Sequence, residues 1–99
     1  MSIFVNPAQF GENEDLDQYP SNLENDFRLA EEAGVDLIFL PEREKLYGDN
    51  YQTYVSLEKL PQHLCGLSRP VHFKGVATIV TKLFNIVMPD TAEIGRAHV

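Results

Sequence analysis

The segment IFVNPAQFG, residues 3–11, constrains this chain most. A β-branched and aromatic run over residues 3–5 stops at Asn6-Pro7, and Gln9 follows three residues after Asn6. Proline has no N–H to give to a ladder, so a strand ending here must hand the chain to a turn. The pattern predicts a buried strand whose carboxyl end carries two amides, the place where α/β proteins assemble ligand sites. A strand that starts at residue 3 fits either a very compact domain or a piece of a larger one.

A second local pattern extends the first. Residues 11–20 are polar and rich in acids and turn formers, which predicts a loop. Ser21 and Glu24 have capping-box spacing, and Leu23, Phe27 and Ala30 follow at helical intervals. This predicts a helix over residues 22–33, ended by Gly34 at the position where glycine most often closes a helix. Residues 35–40 are nearly all apolar and are closed by Pro41. A helix feeding a short apolar strand across one glycine is the second half of a βαβ crossover, with residues 3–5 supplying the first. The expected fold class is therefore α/β, a parallel sheet with crossover helices.

Further along, residues 42–46 predict a short helical turn, Tyr47-Gly48-Asp49 a turn, and residues 51–55 an extended segment. Residues 57–64 predict a small helix whose regularity Pro61 limits. In HFKGVATIVTKLFNIVMPD, Phe73, Val76, Ala77, Val80, Leu83, Phe84 and Val87 recur at three- and four-residue spacing. That predicts a long helix over residues 73–87, ended by Pro89. Gly75 costs such a helix roughly 1 kcal/mol relative to alanine. The cost is tolerable if backbone must approach closely there.

Charge is unevenly spread. Residues 1–58 hold 13 of the 15 acidic side chains and 3 of the 8 basic ones. One reading is a solvated acidic half packed beside a neutral one. The other gathers Arg69, His72, Lys74 and Lys82 near an anionic small molecule. A nucleic-acid binder needs a stronger basic stripe, so no nucleic-acid partner is expected. The single cysteine, Cys65, excludes an internal disulfide, fits a reducing compartment, and lies beside Leu64 as a structural thiol. There is no charged-then-apolar leader, and Lys82 and Asn85 break the apolar run near the C-terminus. No membrane span follows, and a cytoplasmic protein is expected.

Asn6 and Gln9 can each donate to and accept from a polar ligand. The alternative is that Asn6 only caps the local turn and Gln9 faces solvent. Residues 65–72 put Arg69 and His72 at the start of the long helix, where free N–H groups and the dipole favour an anion. Against that stands an ordinary surface arginine beside a proline. Glu12, Glu14, Asp15 and Asp17 lack the spacing of a calcium loop and are read as solvated, so no metal site is expected. No cysteine–histidine metal constellation and no catalytic triad can be assembled from spacing.

The stretches IFVNPAQFG, ENEDLDQYPSNLENDFRLAEEAGVDLIFLP and LCGLSRPVHFKGVATIVTKLFNIVMPD together resemble the pantothenate synthetases, or pantoate–β-alanine ligases, in unbroken order up to Asp90. The resemblance implies a Rossmann-like nucleotidyl-transferase domain in residues 1–90, with a divergent end in residues 91–99. It implies ATP and Mg²⁺, the substrates pantoate and β-alanine, a pantoyl-adenylate intermediate, and a homodimeric full-length enzyme. It also implies that Asn6 and Gln9 bind pantoate, with Gln9 close to β-alanine as well. Tyr19 matches a tyrosine near the intermediate, Arg69 and His72 line the same cavity, and Gly95 opens the ATP-contacting Gly-Glu-Lys-Asp segment. Two departures stand out. The family's histidine signature is not among these residues, so none of them is assigned a catalytic role. Ala97 and His98 stand where a lysine and an aspartate belong. The expectation is an internal fragment that is inactive by itself, the alternative being a stand-alone pantoate-binding module without catalysis.

Overall fold

A computed structural model describes residues 1–10, 22–59 and 71–95. Asn22 opens helix α1 (Leu23–Glu32), its side-chain oxygen accepting the Asn25 N–H at 3.1 Å. Glu24 and Asp26 occupy the first turn, where the helix dipole favours acids. The expected cap, Ser21, lies outside the described residues. At the other end the Gly34 N–H donates to the Glu31 carbonyl at 3.1 Å and the Val35 N–H to the Ala30 carbonyl at 3.0 Å. Gly34 takes φ +83°, so this is the Schellman closure that glycine permits.

Helix α2 (Arg43–Leu46) is a single turn and fulfils the expectation for residues 42–46. Helix α3 (His72–Val87) is the long helix read from the apolar periodicity. It stops at Met88, which adopts the left-handed conformation with φ 51° immediately before Pro89. Residues 51–57 form no regular structure, and Glu58 and Lys59 lie in a bend. The rest of the small helix expected over residues 57–64 lies outside the described residues.

The Rossmann-like parallel sheet of a nucleotidyl-transferase domain is not there. Among the described residues there is no strand, only an isolated parallel bridge between Ser2 and Phe39, and the regular elements are all helical. The Ile3 N–H donates to the Phe39 carbonyl at 3.1 Å, and the Phe39 N–H to the Met1 carbonyl at 2.7 Å. The reason is local. At Asn6-Pro7 the chain turns into a 3-10 turn, and proline removes the next donor. Residues 35–40 then have no ladder to extend, and Leu37 is exposed. Two apolar runs that would suit a sheet meet at one point instead.

The buried face of α3 also differs from the expected stripe. His72, Gly75, Thr78 and Ile79 are buried, whereas Phe84 and Val87 are exposed. Periodicity locates an apolar stripe, but the partner decides which part of it is covered. Here the partner is the 3-10 turn, which takes the glycine side. Val80, Leu83, Phe84 and Val87 instead line a groove with Met1, Ser2, Leu37 and Phe39, closed on one side by residues 91–94. Ala30, Leu46 and Ile79 are the buried apolar side chains among the described residues. None of the described helices is long and apolar enough to cross a membrane.

Candidate functional site

The 3-10 turn (Pro7–Gln9) presents both amides singled out in the sequence. Asn6 is its N-cap: the Oδ1 atom accepts the Ala8 N–H at 3.3 Å. The same oxygen accepts the Tyr47 hydroxyl at 2.7 Å. The Nδ2 atom donates to the Gly75 carbonyl at 3.0 Å and to Gln9 Oε1 at 3.1 Å. Two acceptor positions and two amide hydrogens are thereby all engaged. Asn6 is buried, and its bonding is complete without a ligand.

Directionality follows from groups that bond one way only. A backbone N–H can only donate and a backbone carbonyl can only accept, so Ala8 and Gly75 fix which end of the Asn6 amide points where. The Nδ2 atom must then face Gln9 Oε1. The Gln9 Nε2 group is turned away, and no partner for it is found among the described residues. Gln9 is half-buried, so it combines a fixed orientation with donors that no described residue engages.

Gly75 makes this contact possible. A Cβ at position 75 would overlap the Ala8 carbonyl group and the Gln9 Cα, both backbone. The close approach expected of a glycine inside a helix is present, and it seats the amide turn on the first turn of α3. His72 begins that helix turn and is buried, its ring edge-on to Phe73. Its Nδ1 atom is buried without a hydrogen-bond partner among the described residues. An unpaired buried ring nitrogen is costly, so a polar ligand that bonds it recovers free energy.

A row of tyrosines closes the other side of Asn6. Tyr47 stacks near Phe4 with centroids 6.4 Å apart, meets Tyr51 edge-on at 5.0 Å, and Tyr51 meets Tyr54 at 5.2 Å. The Lys82 ammonium lies over the Tyr51 and Tyr47 rings at 4.4 and 5.3 Å, and Lys74 over Tyr54 at 4.9 Å. Both lysines of the proposed cationic cluster thus engage aromatic faces. Burial, then the neighbouring Tyr51 and Tyr54, push the Tyr47 phenol up to about 12. It remains a donor at neutral pH. Tyr47 was read only as a turn residue, because its partner Asn6 lies 41 positions away and no local signal marks such a pair.

Of the remaining sequence candidates, Tyr19 and Arg69 lie outside the described residues. Gly95 is exposed, with open space where a Cβ would stand. Among the described residues no cluster of histidine, cysteine or carboxylate side chains could hold a metal ion.

The Pantoate-beta-alanine ligase family pattern matches residues 1–99. A pantothenate synthetase from Desulfatibacillum aliphaticivorans is 72% identical over 96 residues, covering 97% of this chain and 34% of that protein. One from Desulforapulum autotrophicum is 62% identical over 95 residues, with 96% and 34% covered. The crystal structure of pantothenate synthetase from Thermus thermophilus superimposes with a TM-score of 0.83 at 49% identity, over 89% of this chain and 32% of that one. The Francisella tularensis pantoate–β-alanine ligase, crystallised with a β,γ-ATP compound and β-alanine, gives 0.83 at 37% identity, over 90% and 34%. The chain thus spans about a third of the length of these relatives. With a family pattern matched from end to end and identities this high, the chain belongs to the pantoate–β-alanine ligase family.

Proposed function

We propose that these residues form the pantoate and β-alanine side of a ligase that condenses the two with ATP. In this reading the pantoate carboxylate attacks the α-phosphorus of ATP, forming pantoyl-adenylate and releasing pyrophosphate. The β-alanine amine then attacks the acyl carbon and displaces AMP, giving pantothenate. Gln9 offers its free Nε2 donors to pantoate and lies near β-alanine. Asn6 sets the orientation of Gln9, and His72 contributes its unpaired ring nitrogen. Tyr19 and Arg69 are assigned to substrate binding as well, and Gly95 to ATP.

The observation that carries this reading is the bonded pair Asn6–Gln9 seated on Gly75, 69 positions away, in a chain of this family. Such an arrangement works by positioning. Reaction at phosphorus needs the attacking carboxylate held in line and the transferred charge met by fixed donors. The Francisella enzyme was crystallised with β-alanine and a β,γ-ATP compound, which supports the same ligand classes here. Magnesium would enter with ATP and offset the charge of its phosphates. The whole protein is proposed to act as a cytoplasmic homodimer.

The test uses the full-length protein that carries these residues. Incubation with pantoate, ATP, Mg²⁺ and β-alanine should yield pantothenate and AMP in equal amounts. Consumption of ATP without pantothenate, or no reaction, overturns the reading.

A further inference from the structure

We propose that Tyr47 is a positioning residue of this site, acting on the substrate through Asn6 and Gln9. The inference deepens the ligase reading and rests on it for the identity of the substrate. Two bonds in series make the relay. The Tyr47 hydroxyl donates to Asn6 Oδ1 at 2.7 Å, the shortest of the bonds that Asn6 makes. Asn6 Nδ2 donates to Gln9 Oε1 at 3.1 Å, and the Gln9 Nε2 hydrogens remain for a ligand acceptor.

Tyr47 suits this role for two independent reasons. Its ring is held by Phe4, Tyr51 and the Lys82 ammonium, so the hydroxyl has a fixed address. It also follows α2 directly, which brings a third segment of the chain to the amide pair that the 3-10 turn and α3 already share. A flip of this buried amide would break its bonds to the Ala8 N–H and the Gly75 carbonyl, and the Tyr47 hydroxyl would have to change from donor to acceptor. If Asn6 turned over, its oxygen would face Gln9 Oε1, and Gln9 would have to turn its own acceptor away from that oxygen. Substrate recognition is thereby tied to a hydroxyl that need not touch the substrate.

Tyr47→Phe in the full-length protein removes the hydroxyl and keeps the ring contacts. The expected result is a rise of about three- to tenfold in the KM for pantoate, the size of one neutral hydrogen bond, with a smaller change in the KM for ATP. In a Gln9→Ala background the same substitution should leave the pantoate KM unchanged, because the relay has lost its last member. The side-chain amide NMR signals of Asn6 and Gln9 read the relay without substrate, and both should move in the variant. A Gln9 signal that stays in place while Asn6 moves overturns the proposal. So does a pantoate KM that rises equally with and without the Gln9 side chain. A wild-type protein inactive with pantoate sinks the ligase reading alone, and the Gln9 signal then decides the role of Tyr47.

Discussion

Single residues fix the site more tightly than any element does. Gly75 is the sharpest case, because two opposing terms act on one atom. Alanine would gain roughly 1 kcal/mol of helix propensity. Its Cβ, however, would meet the Ala8 carbonyl group and the Gln9 Cα, which are backbone and cannot rotate away. Overpacking of that kind costs about 1–3 kcal/mol, and it also pulls the Asn6 amide from the Gly75 carbonyl. Gly75→Ala is therefore expected to lower the urea midpoint, whereas alanine at an ordinary exposed helix glycine raises it. Tyr47 gives a second prediction at this scale. Its phenol is raised above the ordinary value of 10.0 to about 12, first by burial and then by Tyr51 and Tyr54. The folded state thus holds the proton more tightly than the unfolded chain does. Its contribution is complete below pH 10 and is lost as the pH rises from 10 through about 12. Unfolding followed across that window should show a shallower alkaline loss in Tyr47→Phe than in the parent.

Among the elements, helices were legible in the sequence and strands were not, for a physical reason. A helix closes its hydrogen bonds within its own segment, so its caps and period are written locally. The Gly34 closure, the α2 turn and the extent of α3 all followed from such signals. A strand bonds to a neighbour that sequence alone does not supply. Residues 3–5 and 35–40 have the composition for a ladder, but the one bridge here joins Ser2 to Phe39. The site divides in the same way. Asn6 and Gln9, three positions apart, could be read together, and Gly75 was visible as a glycine out of place in a helix. Tyr47 could not be found, since its part depends on a bond across 41 positions. The N-cap of α1 tests the local half of the argument. Asn22→Ala removes the side-chain bond to the Asn25 N–H and should cost about 1 kcal/mol, while Asn22→Ser should keep most of it. Urea midpoints of the three proteins would show that order, and equal midpoints would remove the cap from the account.

On the scale of the whole molecule, the surface is too large for the mass. The accessible area is 8108 Å². A folded monomer of 11.2 kDa has about 5,700 Å² by the usual scaling. The radius of gyration of 14.5 Å likewise exceeds the roughly 13 Å of a compact chain of 100 residues. The excess has an apolar component with a definite address. Leu37 is 76% exposed and Phe84 44%, and both line the groove of about 270 Å³ beside α3. Apolar surface gathered in one concave place takes up apolar probes, whereas scattered exposed side chains do not. The 99-residue chain is therefore expected to enhance the fluorescence of anilinonaphthalene sulfonate at neutral pH. Leu37→Ser with Phe84→Ser should reduce that enhancement while far-ultraviolet circular dichroism stays unchanged, because neither residue is buried. Dye binding equal in the parent and the double variant would place the exposed apolar surface elsewhere. Loss of helical signal in the variant would show instead that these two side chains carry packing that their exposure conceals.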